Sequence, residues 1–579
     1  MGVLESDVLV VGGGPAGAWA ALAAARSGAR VILVDKGRCG ASGPTAKSLV
    51  ALANFPPGPA REEAVRLAFA RGGRLGDPEW THRVLAETHL RLDHLFRRGR
   101  VPHGDRSGGP TRIRLSGVRY LGLLRRSLLV AGVRILDHHP ALRLLVDAEG
   151  VVAGASGLCS ARGYEEWSVR AGAVVLATGG CAFLSGAAGA DVATGDGLLM
   201  AAEVGGELSG MEFSSAYTLA PLAPLPPTPT LRFAAFHDES GAPLENPALG
   251  PHAAALEALA NGRRVYATLA EAGGSEGAEP RVRPTLAEID GSGGPEARVH
   301  PSFAEAGASG GAEARVGGRG VFATLEALAG LGSTGDGGGG LGVGGAEHVG
   351  APRLSGAVQV RAVLAGTVRG TGGLRLTGFD CATTVPGLFA AGDVTSREAI
   401  AGAYGGVGGQ RAAWAIASGM WAGTGAVRFA RGRGRAVPAR VGGGLRAVAG
   451  IDPRAVIGLV QEHTLPLRRS YWRSAGSLRD SIAELDALWP VTECDLGGTG
   501  AELLRAREAA ALLAVARWTK HSALARTESR GIHRRTDHPG EVEDWRLRLH
   551  TGGVGTVWVA PPRDLTRAAA ACEFPLTSG

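Results

Sequence analysis

The sequence lacks the features that mark disulfide-stabilised, metal-binding and membrane-spanning proteins. Its 579 residues include only six cysteines, and no two form a C-x-x-C motif. Isolated cysteines suit a reducing cytoplasm and predict neither a metal site nor an iron–sulfur cluster held by this chain alone. No uncharged apolar run of about 18 residues occurs, and the first strand leaves no room for a signal peptide. We therefore expect a cytoplasmic protein with no membrane insertion.

Positive charge is present but is not organised into a patch. The net charge of +7 arises from 61 Lys and Arg against 54 Asp and Glu, and it is spread along the chain. Arginine pairs are short, as at residues 97–98 and 534–535, and no aromatic-basic stripe accompanies them. We therefore expect no nucleic-acid partner. Either an anionic substrate or a solvated basic surface would explain the charge.

The first forty residues contain the clearest motif. An apolar run at residues 7–11 leads into a glycine turn, a helix is predicted at 18–27, and a second strand at 31–34 ends on Asp35. Three glycines at G-x-G-x-x-G spacing allow a tight turn, the approach of a pyrophosphate and close helix packing, while the acid accepts hydrogen bonds from ribose. The unit predicts a dinucleotide site formed by Gly12, Gly14, Pro15, Ala16, Gly17 and Asp35.

Several later segments also predict regular structure. Strands are predicted at residues 133–136, 142–147 and 151–158, and together they suggest a β-meander. A loop of small residues at 40–49 either lets backbone reach a cofactor or is an ordinary surface loop. Residues 273–345 are of low complexity and cannot bury much apolar surface, so we expect them to be flexible, as a linker, an insertion without a role or a lid hinge.

Four separated motifs resemble a known family. They are GAVVLATGG at residues 172–180, DVATGDG at 191–197, VPGLFAAGD at 385–393 and ARTESRGIHRRTDHP at 525–539. With the N-terminal glycine unit, they resemble the FAD-dependent succinate dehydrogenase/fumarate reductase flavoprotein family. This family includes L-aspartate oxidase and the adenylylsulfate reductase flavoprotein. The resemblance covers residues 5–220, 351–425 and 455–550.

The resemblance implies an α/β fold with three parts. A Rossmann-like FAD-binding domain would comprise residues 1–220 and 351–435. An α+β capping domain would be inserted at residues 221–350 and would contain the low-complexity stretch. A C-terminal helical domain and tail would comprise residues 436–579.

The resemblance also implies which residues bind FAD. Lys36 would lie near the adenosine, and Asp393 would accept a hydrogen bond from the ribityl chain, or serve only as a helix cap. Covalent family members have a histidine in the loop that corresponds to residues 40–45, and its absence implies noncovalent FAD. The further cofactor contacts would be Ser42, Thr45, Ala46, Ala177, Thr178, Gly179, Asp196 and Gly392.

The chain departs from the family where dicarboxylates are bound. Tyr217 stands where a substrate-binding histidine is expected, and residues 401–404 lack the histidine of an H-G-A-N-R motif. The expected proton-donating arginine is missing from residues 251–257, and Arg263 and Arg264 follow several residues late. We therefore expect the residues that bind and protonate a dicarboxylate to be largely replaced.

These observations predict an FAD-dependent oxidoreductase that transfers hydride between flavin N5 and a small-molecule substrate. The candidate catalytic residues are Tyr217, Arg530 and His533, although a buried tyrosine and a purely structural C-terminal segment would also fit. Arg526 and Glu528 suggest an interdomain ion pair. Two alternatives remain: an electron-transfer subunit with an iron–sulfur or ferredoxin-like partner, and a catalytically idle flavoprotein with a binding role.

Overall fold

The computed structural model describes residues 3–99, 111–222, 234–245, 251–269, 357–405, 408–433, 440–441 and 450–562. The chain divides into two compact units. Unit 1 comprises residues 1–93, 109–217 and 364–579, and unit 2 comprises residues 94–108 and 218–363. The predicted low-complexity stretch and its glycine hinge lie outside the described residues. The domain boundaries predicted from the sequence stay a prediction.

A parallel sheet forms the centre of unit 1. Strand β1 (Leu4–Val11) pairs in parallel with β2 (Val31–Val34) and with β8 (Glu165–Leu176). On the outer sides, β5 (Arg134–Leu136) pairs in parallel with β2, and β15 (Leu388–Ala390) with β8. The β-branched, fully buried residues of β1 and β2 explain why both are central strands. This arrangement confirms the predicted α/β fold.

An antiparallel extension continues the sheet beyond β8. Strands β6 (Ala141–Val146) and β7 (Val152–Cys159) form a meander with β8, and β16 (Arg440–Val441) pairs with β6. The predicted grouping of residues 133–136 into this meander was wrong. That segment instead pairs with β2, because it follows a helix that returns the chain to the other edge of the sheet.

Shorter strands complete unit 1. Strands β3 (Leu49–Asn54) and β4 (Thr111–Ser116) form an antiparallel pair. A second sheet has the order β14 (Gly373–Leu374), β9 (Leu208–Ser209), β17 (His550–Gly552), β18 (Trp558–Ala560). The chain leaves β9 through the left-handed Gly210 into a 3-10 turn at Met211–Phe213, so residues 207–213 do not form one continuous strand.

Helices cover the central sheet of unit 1. The helix Pro15–Arg26 packs along Gly408–Arg433, where a side chain at Gly423 would overlap the carbonyl of Ala20. Leu512 and Val515 of Ala501–Ala525 share one buried core with Leu9 of β1, so the C-terminal helices pack directly on the nucleotide fold. The remaining helices are Pro59–Arg71, Pro78–Gly99, Gly117–Val130, Asp196–Glu203, Gly366–Arg369, Glu398–Ala401, Pro453–Thr464, Leu467–Ser470 and Ala475–Asp495.

Unit 2 contains a four-stranded antiparallel sheet and one described helix. The sheet has the order β10 (Ala216–Pro221), β13 (Val358–Ala365), β12 (Val265–Leu269), β11 (Ala234–His237). The helix Pro251–Ala260 occupies the segment that lacks the expected arginine. The two late arginines, Arg263 and Arg264, form exposed ion pairs with Asp238 and Glu239.

Four cysteines, Cys39, Cys159, Cys181 and Cys381, are free and buried. Among the described residues, no group of three His, Cys, Asp or Glu side chains could hold a metal ion. No helix in the described ranges is long and apolar enough to cross a membrane.

Candidate active site

Four parallel strands of unit 1 end at one level. Ala390 of β15 pairs with Leu176 of β8, Leu176 with Val11 of β1, and Val11 with Val34 of β2. In open α/β sheets, ligands bind in the crevice at the carboxyl ends of such strands. The residues that follow each strand are the predicted cofactor segments: Gly12–Gly17, Asp35–Lys36, Ala177–Gly179 and Gly392–Asp393.

The glycine turn is held to the second strand by Asp35. The carboxylate accepts hydrogen bonds from the backbone N–H of Gly13 at 2.5 Å and of Gly37 at 2.8 Å. The hydroxyl of Ser42 donates to the same carboxylate at 3.1 Å. This acid therefore organises the loop and lies 6% exposed at the crevice, where a ribose would meet it.

The crevice has room and unsatisfied groups for a cofactor. A side chain at Gly14, Gly43 or Gly179 would meet no atom within 4 Å. The hydroxyl oxygen Oγ1 of Thr178 and the carboxylate oxygen Oδ1 of Asp196 are buried, and neither has a hydrogen-bond partner among the described residues. Buried polar atoms ordinarily find partners, so these two fit a bound nucleotide that supplies them.

Lys36 links the nucleotide fold to the C-terminal helices. Its Nζ lies 2.9 Å from Asp196 and 2.5 Å from Glu508, and it also donates to Thr194 at 2.8 Å. Burial alone would lower the pKa of Lys36, but the two carboxylates raise it. The Lys36 amine is therefore positively charged and lies beside the carboxylate of Asp196. This is consistent with the predicted position of Lys36 near the adenosine.

Two predicted cofactor residues of the loop at residues 40–49 lie in one short turn. Thr45 and Ala46 belong to a 3-10 helix, Pro44–Lys47. Gly117 packs so closely on the Thr45 carbonyl that any side chain at this glycine would overlap it. Gly43, at the N-terminal end of the turn, faces open space. The loop is therefore anchored at one end and free to receive a ligand at the other.

Asp393 does not stand alone at its strand end. Asp393 lies four residues before Arg397, and the Arg397 guanidinium forms an ion pair with the Asp393 carboxylate. Arg397 also donates to the carbonyls of Thr367 at 2.6 Å and of Gly370. Burial, together with the charge of Arg411, lowers the pKa of Arg397 to about 9. Asp393 is 32% exposed, so it keeps an accessible oxygen for a ligand.

Tyr217 is bound to the C-terminal helices through its hydroxyl. The O–H donates to the carbonyl of Leu465 at 3.0 Å, and the ring packs edge-on against Tyr471 with centroids 6.1 Å apart. Burial raises the pKa of Tyr217 well above its usual value. The phenol is therefore protonated at neutral pH, and its O–H is engaged in the hydrogen bond to the Leu465 carbonyl. Its placement beside the flavin ring stays a prediction.

His533 lies in a buried polar cluster. Arg473 donates to Nδ1 at 2.6 Å, and Nε2 lies 3.2 Å from the carbonyl of Arg526. An arginine has only donors, so Nδ1 accepts and Nε2 carries the proton. Burial and the neighbouring Arg473 and Arg526 lower the pKa of His533 well below its ordinary value. The ring is therefore a neutral histidine with both nitrogens occupied.

Arg530 is also fully engaged. It donates to Glu528 through Nε at 2.7 Å and Nη2 at 2.8 Å, and to the Gly73 carbonyl at 2.8 Å. Arg526 and Glu528 form an ion pair at 2.8 Å as predicted, but within one segment rather than between domains; Arg526 also pairs with the distant Glu212 at 2.8 Å. Both Arg526 and Glu212 are fully buried. These contacts favour a structural role for the segment, while the catalytic assignments stay predictions.

The structure adds residues that the motifs did not indicate. Arg369 and Arg411 lie near Arg397, and the charge of Arg411 lowers the pKa of both of the others. The i,i+4 spacing of Asp393 and Arg397 is the only sequence signal for any of them. The rest depends on segments that are brought together by the fold.

The fold and the crevice define a dinucleotide-binding flavoprotein. The family model described as "FAD binding domain" matches residues 7–226, and the one described as "Fumarate reductase flavoprotein C-term" matches residues 473–552. The chain belongs to the FAD-dependent succinate dehydrogenase/fumarate reductase flavoprotein family, and its cofactor is FAD. The predicted family and the predicted cofactor, FAD, are thereby confirmed.

Two relatives share part of their length with this chain. L-aspartate oxidase of Streptomyces coelicolor is 32% identical over 232 residues, which are 36% of this chain and 39% of the relative. A probable fumarate reductase, Ifc3, of Shewanella frigidimarina is 29% identical over 253 residues, which are 37% and 41%. The chain therefore spans about two-fifths of the length of these relatives.

Solved structures share the fold along nearly the whole chain. The FrdA subunit of E. coli quinol fumarate reductase has a TM-score of 0.71 at 21% identity and covers 97% of both chains. Adenylylsulfate reductase of Archaeoglobus fulgidus has a TM-score of 0.65 at 18% identity and covers 96% of both chains. These likenesses confirm the family fold.

Proposed function

We propose that this protein is an oxidoreductase that acts on a small organic substrate with noncovalently bound FAD. The observation that carries the proposal is that four parallel strands have their carboxyl ends side by side, and that each is followed by a predicted cofactor segment. When bound, FAD supplies hydride transfer at its N5 atom, and the protein supplies binding, orientation and proton transfer.

The chain's own residues divide these tasks. The glycine turn and the N-terminus of Pro15–Arg26 would bind the diphosphate, because free N–H groups and the helix dipole favour anions. Asp35 would bind the ribose of the adenosine half, and Thr178 and Asp196 would direct their unpartnered oxygens at it. Asp393 would bind the ribityl side.

Gly14 allows a direct test of the cofactor site. Its backbone is extended, with φ −68° and ψ −178°, so another residue would fit without strain. The space in front of it is open, so Gly14→Val would fill the position of the ligand and nothing else. The matched control is Gly122→Val, since that glycine also faces open space, on an outer helix of the same unit.

We expect the unchanged protein and Gly122→Val to be purified yellow, with about one FAD per chain. Gly14→Val should keep the same thermal unfolding temperature in the FAD-free state and lose most of its FAD affinity. Equal FAD affinity in both variants would refute the proposed site. Candidate substrates should then bleach the flavin absorbance of the unchanged protein under anaerobic conditions.

A second candidate is a flavoprotein subunit of an electron-transfer complex with an iron–sulfur partner. It is supported by the match of residues 473–552 to the C-terminal region of fumarate reductase flavoproteins. Flavin reduction by a substrate in the isolated protein favours the first candidate. Reduction that requires an added iron–sulfur protein or ferredoxin favours the second.

A further inference from the structure

Three arginines lie together on the Asp393 side of the nucleotide crevice. Arg397 is 1% exposed and holds the backbone on both sides of Arg369 through the carbonyls of Thr367 and Gly370. This fixes the short helix Gly366–Arg369, and Arg369 stands at its end.

Arg411 reaches the same place from a different segment. A side chain at Gly405 would overlap the carbonyl of Arg369, so these two backbones are in direct contact. The helix Gly408–Arg433 begins three residues later and carries Arg411 in its first turn. The glycine is therefore required for the approach that gathers the arginines.

The positive charge of this cluster is not balanced within the described chain. Asp393 is the one carboxylate among the described residues that pairs with any of the three arginines, and it pairs with Arg397. Neither Arg369 nor Arg411 has an ion pair with a described residue. Neighbouring unpaired cations that lose hydration are costly, and a bound anion removes that cost.

The cluster is open to a ligand. Burial and the charge of Arg411 lower the pKa of Arg369 to about 10, yet Arg369 is exposed to solvent. Arg411 is half-buried, and burial lowers its pKa as well. With a pKa of about 10, Arg369 stays charged at neutral pH.

We propose that Arg369 and Arg411 form a binding site for a negatively charged oxygen group of the substrate, such as a carboxylate, sulfate or phosphate. The site rests on the proposed oxidoreductase function and names its substrate class. Paired guanidinium groups suit an oxyanion, because each presents two parallel donors. Arg397 is a positioning residue, since its donors are occupied by Asp393 and by carbonyl groups.

The cofactor's own diphosphate is the other source of such an anion. The glycine turn already provides a diphosphate site after β1, whereas Arg369 follows β13 and both Arg397 and Arg411 follow β15. The experiment separates the two sources by measuring anion binding and FAD affinity in the same variants.

The test uses the whole protein and sodium sulfate, phosphate, acetate and succinate as probes at constant ionic strength. Binding is followed by calorimetry on the FAD-free protein and by perturbation of the flavin absorbance on the FAD-bound protein. The variants are Arg369→Gln, Arg411→Gln and, to keep the charge without the planar fork, Arg369→Lys and Arg411→Lys. The matched control is Arg428→Gln on the helix of Arg411, because Arg428 is 72% exposed.

We expect at least one probe to bind the unchanged protein and Arg428→Gln equally. Each glutamine variant should weaken its binding roughly tenfold or more, each lysine variant should weaken it less, and FAD affinity should change by less than about threefold. Equal anion binding in all variants, or no binding to the unchanged protein, would overturn the proposal. Weakened FAD affinity with unaltered probe binding would show that the arginines bind the diphosphate of FAD. This result would also overturn the proposal.

Failure of the proposed oxidoreductase function gives a different result. In that case no FAD would bind or no substrate would reduce the flavin, while the calorimetric arm on FAD-free protein would still decide the anion site. If a glutamine variant does not fold, the lysine variant of the same arginine decides the outcome.

Discussion

Arg397 donates a hydrogen bond to the carboxylate of Asp393, and the same guanidinium holds the carbonyls of Thr367 and Gly370. One buried side chain therefore joins the end of β15 to the short helix at residues 366–369. This contact decides where the exposed oxygen of Asp393 points and where Arg369 stands.

Arg397→Met should therefore destabilise the protein. The variant leaves Asp393 without its cation and two carbonyls without a donor, and each lost hydrogen bond to a charged group costs about 1.5–3 kcal/mol. We expect a lower urea midpoint with an unchanged slope. The control is Arg428→Met, whose exposed pair should contribute less than about 1 kcal/mol. Equal midpoints for both variants would show that the Arg397 contacts are not stabilising.

Glu398 should make the stability pH-dependent. Its carboxyl accepts a hydrogen bond from Ser209, and burial and the nearby Glu212 raise its pKa to about 7, against the opposing effect of Arg548 and Arg526. The native state therefore binds this proton more tightly than the unfolded state does. Its contribution is fully present below about pH 4.3 and is lost as the pH rises through 7, by about 4 kcal/mol at most.

Urea unfolding at pH 5 and pH 8 measures this effect. Glu398→Gln cannot ionise, so the unchanged protein should lose more stability than this variant does between the two pH values. Glu63→Gln, at an exposed pair with Arg66, serves as the control and should follow the unchanged protein. If Glu398→Gln loses as much stability as the unchanged protein, the carboxyl is already ionised at pH 5.

Tyr217→Phe separates a structural role from a catalytic one. The variant removes the hydrogen bond to the Leu465 carbonyl and should cost about 1 kcal/mol in the free energy of unfolding while FAD stays bound. If the predicted role beside the flavin holds, turnover on an identified substrate should fall far more than stability does. Unchanged turnover would end the catalytic assignment and leave the hydroxyl as a packing contact.

Succinate and fumarate should be poor substrates. Tyr217 replaces one expected histidine, residues 401–404 lack another, and the helix Pro251–Ala260 contains no arginine. Each lost charge-assisted hydrogen bond costs about 1.5–3 kcal/mol, so two or three losses reduce kcat/KM by several powers of ten. Anaerobic flavin bleaching with each acid measures this. Efficient turnover would show that these positions do not correspond to the family's dicarboxylate-binding residues.

The FAD should be released by acid. No histidine occurs at residues 40–45, so this loop offers no imidazole for a covalent link. After precipitation with trichloroacetic acid, we expect all yellow colour in the supernatant. Colour that remains in the washed pellet would show a covalent bond to another residue.

The local parts of the cofactor site were predictable from the sequence. Strand, glycine turn and helix follow one another without a gap, and the close approach of Gly17 to the Gly12 carbonyl is a contact within this short span. Asp35 follows from its spacing, and its bonds to Gly13 and Gly37 are local consequences of the turn. Short-range geometry and periodicity therefore determine this unit.

Strand partners and charge clusters required the tertiary structure. Residues 134–136 form a strand as predicted, but pairing with β2 depends on the return path of the preceding helix. Arg369, Arg397 and Arg411 belong to no common sequence motif. They come together because Gly405 lets its own backbone contact the backbone of Arg369. Likewise Arg526 pairs with Glu212 across 314 positions. Sequence spacing alone determines local backbone form, whereas long-range packing decides which buried charges meet.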